Sequence, residues 1–196
     1  MGRVVRKLAT VKEDEKNELK NKYSTKTLVT MALFTAILCV SAYISLTLPN
    51  GSHITFLNFI VTLIALVFPV SQSFMIVLVW MLLGCVGVPV FIGGNAGIGY
   101  LFGALGGYSI AFIFVSILLP TLFRKKYNRI RAAIFAVLSV IFVDFVGMLQ
   151  LMYVQELSFA QAIIPGFLSF IVLDLVKAVA AAWVAPAFRN VIAEIS

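Results

Sequence analysis

Asp174 and Lys177 are opposite charges three residues apart, and no other formal charge lies between Glu156 and Arg189. On a helix that spacing puts both side chains on one face. An ionisable residue in an apolar span is costly and marks a site unless it is neutralised. Two chemistries fit: a self-neutralising ion pair, or a pocket offering a small polar ligand one acceptor and one cation. Asp144 is a third ionisable group inside an apolar run, and structural hydrogen bonding and function are both open for it. Asp144 with Asp174 would be the pair for an intramembrane aspartyl enzyme, but their spacing carries no such signature. There is no Gly-x-Ser-x-Gly elbow, and one histidine, His53 in an outer turn, leaves no nucleophile–base pair. Cys39 and Cys85 lack metal-ligand spacing and read as packing residues. The expectation is no catalytic residue, no metal and no cofactor.

Nine of the thirteen glycines fall between Gly84 and Gly107. No Gly-x-x-x-x-Gly-Lys-[Ser/Thr] is present, and Gly97, Gly99 and Gly103 miss the dinucleotide spacing by one residue. Gly99/Gly103 and Gly103/Gly107 are each four apart, as in close helix packing. Pro89-Val-Phe-Ile-Gly-Gly-Asn95 does not fit that reading. An apolar, glycine-rich connection on the outer side suits a lid over a pocket, with Pro89, Phe91, Gly93 and Gly94 as its residues.

The elements that must carry these groups are membrane spans. Hydrophobic residues make up 62% of the 196-residue chain and charged residues 12%, against about 45–50% and about 25% in soluble domains. Mean hydropathy is +1.07. No formal charge lies between Lys26 and Arg124, so the net +7 does not form a phosphate-binding patch, and nucleic acid is not expected as a partner. Apolar runs and Pro/Gly punctuation predict six helices near 27–48, 54–68, 73–87, 101–119, 132–153 and 165–185. Eight of the fifteen Lys and Arg lie in residues 1–26, five more lie from Arg124 to Arg131, and Arg189 follows the last predicted helix. An even helix count puts all three groups on one side, so both termini are expected in the cytoplasm. Residues 1–26 mix charges and have no apolar core, which reads as a charged cytoplasmic tail rather than a signal peptide. Residues 27–196 form the expected six-helix domain, an all-α integral membrane protein surrounded by lipid.

Three segments resemble the BioY family, the biotin-specific substrate-binding subunits (S components) of bacterial energy-coupling factor (ECF) transporters. Leu82-Leu-Gly-Cys-Val-Gly-Val-Pro-Val-Phe-Ile-Gly-Gly94 and Gly103-Ala-Leu-Gly-Gly-Tyr108 are similar to that family's Leu-Leu-Gly-x-x-Gly-x-Pro-Val-Phe-x-x-Gly and Gly-Pro-x-Gly-Gly-Tyr. Phe170-Ile-Val-Leu-Asp174-Leu-Val-Lys177 is similar to Pro-Phe-x-x-x-Asp-x-x-Lys, and Ala32-Leu-Phe-Thr-Ala36 matches an Ala-x-x-x-Ala docking pattern. The chain departs from the family at Leu57, where Thr-x-Gln would carry a glutamine, and at Ala104 and Ser169, which replace prolines.

The resemblance implies a six-helix subunit in the bacterial cell membrane that binds a vitamin near the outer face. It also implies delivery through a transmembrane coupling (T) subunit and two ABC-type ATPases. This sequence has no Walker motif, so energy would come from such partners. For biotin, Asp174 would accept the ureido N–H groups and Lys177 would pair with the tail carboxylate. Asn95 and Tyr108 are candidates for lid and ring contacts, and Thr55 and Asn58 for polar contacts near the second helix. Ala32 and Ala36 would form the smooth patch that meets the coupling subunit; the alternative is internal packing within this chain. Two other readings stay open: the same architecture for pyridoxine or a hydroxymethylpyrimidine, and an intramembrane enzyme.

Overall fold

The computed structural model describes residues 24–47, 53–123 and 127–195. Eight α-helices and one two-stranded hairpin follow one another among them. Helix α1 (Thr25–Ser41) starts where Ser24 Oγ accepts the Thr27 N–H at 3.3 Å. It ends before strand β1 (Ser45–Thr47), which pairs antiparallel with β2 (His53–Thr55). Helix α2 (Leu57–Val67) leads through Pro69 into α3 (Val70–Cys85). A glycine-rich connection with a 3-10 turn (Ile92–Gly94) and the one-turn α4 (Ile98–Leu101) precedes α5 (Gly106–Thr121). Helix α6 (Arg129–Gln155) is capped by Asn128, whose Oδ1 accepts the Ile130 and Arg131 N–H groups. A short α7 (Phe159–Ile163) and a wide π turn (Ile164–Leu168) run into α8 (Ser169–Ile195).

The expected elements are present with shifted limits, and the all-α expectation gains a strand pair. Residues 42–48 were expected to continue the first helix, but the chain turns at 42–44 and enters β1. The second helix begins at Leu57 rather than 54, because His53–Thr55 pair with β1. The fourth begins at Gly106 rather than 101, since 98–101 form a separate turn. The last extends past 185 through Pro186. A proline inside a helix leaves the carbonyl four residues earlier without its donor. Here the Tyr127 hydroxyl donates to that carbonyl, Ala182 O, at 2.7 Å, and the Arg189 guanidinium lies 5.0 Å from the Tyr127 ring centre.

Helix α2 is the centre of the bundle. It contacts α1, α3, α5, α6 and α8, and nine of its eleven residues are buried. At about 1.5 Å per residue it spans roughly 16 Å, about half of a bilayer's apolar core, so its neighbours shield it on all sides. Arg129–Val154 and Phe159–Ile192 are long and apolar enough to cross a membrane, whereas α1, α2, α3 and α5 are shorter apolar helices. Outward faces carry large apolar side chains, among them Leu33, Phe114, Leu138, Val172 and Trp183. A water-facing surface would not be built this way.

The glycines do different work from that expected of them. Gly99 has no heavy atom near the position of an added Cβ, and Gly103 meets only the backbone of its own turn. Gly107 alone of the expected trio meets another helix: its Cβ would lie 2.8 Å from Gln150 Cβ and 2.9 Å from Val146 O on α6.

Candidate functional site

At the hairpin end of the bundle, Thr55, Asn58, Ile92, Leu105, Tyr108, Phe112, Asp144, Phe170 and Asp174 line one cavity. Its volume is about 20 Å³. That is room for about one water molecule, so a ring-sized ligand enters only if the walls part.

Asp174 is held from two sides. Lys177 Nζ donates to its Oδ1 at 2.7 Å, and Asn58 Nδ2 donates to its Oδ2. The second bond explains why the carboxylate tolerates burial: both oxygens have donors, one of them cationic. Lys177 also donates to Thr55 O at 2.7 Å. It thereby fixes the end of β2 against α8. The self-neutralising pair and the pocket reading therefore coexist, since Asp174 lines the cavity and Lys177 stands behind it.

Tyr108 is buried in the wall. Its hydroxyl donates to Gly166 O at 2.5 Å, and its ring meets Phe170 edge-on at 5.6 Å between centres. Gly147 on α6 leaves the space that the Tyr108 ring occupies. Leu57, at the place of the family's glutamine, is fully buried in the apolar core and is not among the residues that line the cavity.

The connection over the cavity is tied down at its apolar residues. Val90, Phe91 and Ile92 are buried, while Pro89 and Gly93 are exposed. The Phe91 ring stacks on Tyr100 at 4.5 Å and meets Trp80 edge-on at 5.4 Å. Trp80 Nε1 donates to Val90 O at 3.0 Å. Gly93 and Gly94, both at φ 74°, and Gly97 at φ 89° take the left-handed backbone the turn needs. Burial pushes the Tyr100 phenol up to about 12, so it stays a neutral donor, reaching Leu105 O at 3.3 Å.

Four of the six expected ligand residues, Thr55, Asn58, Tyr108 and Asp174, thus line one cavity, with Lys177 bonded to two of them. Asn95 belongs to the glycine-rich connection. It is exposed, and its Nδ2 donates to Ile92 O at 2.7 Å, closing the turn rather than facing the cavity. Ala32 and Ala36 are exposed on the outer face of α1, so no other described helix packs over them. The His53 side chain and the cationic residues 3–22 and 124–126 lie outside the described residues.

Sequence reasoning passed over Trp80, Gln150 and Gly147. Gln150 Nε2 donates to Leu101 O and Gly103 O, each at 2.7 Å, and so positions the turn before α5. An amide within the apolar stretch of a long helix is the available signal, for such a group needs partners inside the protein.

A helical membrane bundle with a polar-lined cavity beneath a glycine-rich connection is the fold of a substrate-binding membrane subunit. Residues 14–194 match the BioY family model, and the chain belongs to the BioY family. It is 32% identical over 154 residues to a biotin transporter of Lactococcus lactis subsp. cremoris, covering 78% of this chain and 84% of that one. It is 34% identical over 160 residues to a biotin transporter of Thermotoga maritima, covering 81% and 92%. A probable biotin transporter of Pyrococcus horikoshii is 33% identical over 155 residues, covering 79% and 91%. Among solved structures, the S-component for biotin from an ECF-type ABC transporter superposes with a TM-score of 0.79 at 27% identity, over 87% of this chain and 94% of that one.

Proposed function

We propose that this chain is the biotin-binding S component of an ECF-type importer in a bacterial cell membrane. It would span the membrane six times, with both termini in the cytoplasm, and pass its ligand on through a transmembrane coupling subunit and two ABC-type ATPases. The observation that carries the reading is the gathering of Thr55, Asn58, Tyr108 and Asp174 around a small cavity, with Lys177 at its back. Biotin's fused rings are compact and apolar, matching Ile92, Leu105, Phe112 and Phe170. Its ureido N–H groups need acceptors, which a carboxylate supplies. Its valerate tail needs a donor, and Lys177, with one N–H beyond the two it spends on Asp174 and Thr55, suits that end. The relatives' names support the same ligand.

The test is native mass spectrometry of the purified chain with biotin, pyridoxine and a hydroxymethylpyrimidine supplied together. Biotin should be retained in preference to the others. Retention of another vitamin instead would replace the ligand and keep the architecture. Turnover of any of them by the chain alone would point to an enzyme.

A further inference from the structure

Asp144 sits in the same cavity as Asp174 and has a different environment. It is 1% exposed, and no group among the described residues donates to either of its carboxyl oxygens. The donors nearby bond other acceptors, Lys177 to Asp174 and Thr55, Asn58 to Asp174 and the Tyr108 hydroxyl to Gly166, and the N–H left over on Lys177 does not reach Asp144. A carboxyl withdrawn from water without a donor is unfavourable, and in an apolar helix Leu or Val would pack at that position without the loss. Stability does not explain Asp144. Its place on α6 does bear on binding, because the α6 stripe that includes Val140, Val143, Gly147 and Met148 faces the bundle interior and Asp144 is the stripe's polar member in the cavity wall.

We propose that Asp144 is a specificity-determining residue whose carboxyl oxygens accept an N–H of the ligand's ring. This rests on the functional reading above and sharpens it. The two N–H groups of a cyclic urea point away from each other, so one carboxylate serves one of them and the other needs a second acceptor. Asp174 on α8 and Asp144 on α6 supply one each. Asp174 is already bonded at both oxygens, which makes Asp144 the less encumbered acceptor. The same chemistry suits an exocyclic amine on a pyrimidine, so the ring's identity has to be separated from the donor contact.

The experiment uses the full-length chain in detergent, with Asp144→Asn and Asp144→Leu beside the parent. Biotin and 4-amino-5-hydroxymethyl-2-methylpyrimidine are the probes, and affinity and unfolding temperature without ligand are the readouts. Asp144→Leu should weaken biotin binding about three- to ten-fold, the range for one hydrogen bond to an uncharged group, while its unfolding temperature without ligand rises. Asp144→Asn should fall between Leu and the parent in affinity, because its amide oxygen can still accept. Biotin affinity unchanged within two-fold in both variants overturns the assignment. So does a loss of affinity accompanied by a lower unfolding temperature in both, which marks a structural role. A parent that ignores biotin and binds the aminopyrimidine only with Asp144 intact sinks the biotin reading and keeps the acceptor assignment. A parent that binds neither overturns both.

Discussion

The Tyr108 ring occupies the space where a side chain on Gly147 would begin: a Cβ added to Gly147 would lie 2.2 Å from the ring. Helices α5 and α6 approach each other here because one residue gives up its side chain to the other's ring. Gly147→Ala should therefore displace the ring from the cavity wall and stretch its bond to Gly166. The expected cost is about 1–3 kcal/mol of stability, the usual range for overpacking, together with weaker ligand binding. Thermal unfolding of Gly147→Ala, Tyr108→Leu and the double variant provides the check. The double variant should cost less than the two singles added; strict additivity would mean the two residues do not share this space.

Asp174 and Lys177 are predicted to be needed for ligand binding. Removing either leaves the other buried without its partner, at about 3–5 kcal/mol for a buried pair, so folding has to be scored apart from binding. Asp174→Asn retains an oxygen for Lys177 and should stay monodisperse while losing most affinity. Lys177→Met should also loosen the end of β2, since Thr55 O loses its donor. Size-exclusion profiles followed by ligand titration separate the two effects. Two folded variants that bind as tightly as the parent would remove these residues from the site.

Residues 89–97 are predicted to act as a lid. Its opening has to release Phe91 from Tyr100 and Trp80, and its closure over a ligand should slow amide exchange in the segment. Trp80→Phe deletes the bond to Val90 O and keeps most of the ring contact. It should raise exchange at residues 88–95 and speed ligand release by several-fold, in keeping with about 1 kcal/mol for one hydrogen bond. Exchange that is the same with and without saturating ligand would argue against a moving lid.

The exposed Ala32 and Ala36 are predicted to meet the coupling subunit. Between helices in lipid, association depends on close contact at small residues, and on this face Val29, Leu33 and Val40 flank them as exposed bulkier neighbours. Replacing both alanines with Trp should abolish co-purification with the coupling subunit and vitamin uptake, leaving ligand binding by the isolated chain unchanged. Persistence of assembly would mean that docking uses another face.

The sequence made the charged part of the site legible because charge is rare in this chain. Asp174 and Lys177 stand out of an apolar run, and their spacing already implied one helix face. Asp144 was equally visible, but its meaning depends on what does not touch it, and only the packed structure reveals that. The hairpin escaped because Ser45–Thr47 and His53–Thr55 are too short to establish an alternating pattern, and residues 42–48 extend an apolar run that reads as helix. The direction of the Asn95 side chain is not legible for a related reason: nearness in sequence to Phe91 and Ile92 says nothing about which side of a tight turn a side chain takes. Pro165 and Pro186 read as helix limits, yet a π turn accommodates the first and the Tyr127 hydroxyl serves the carbonyl freed by the second.

Apart from Asn58, which donates to the Asp174 carboxylate, the side chains that tie the bundle together share one habit. Trp80, Tyr108, Tyr127, Gln150, Lys177 and Arg189 all donate to main-chain carbonyls, at Val90, Gly166, Ala182, Leu101 and Gly103, Thr55, and Leu66 respectively. A carbonyl is present whatever residue carries it. Substitution at 55, 90 or 101 therefore leaves the fastening chemically intact, whereas substitution of a donor removes it. Cavity-wall residues such as Thr55 can thus change type while their backbone stays pinned, so the chemistry of the wall can drift over evolutionary time without the frame having to be reinvented.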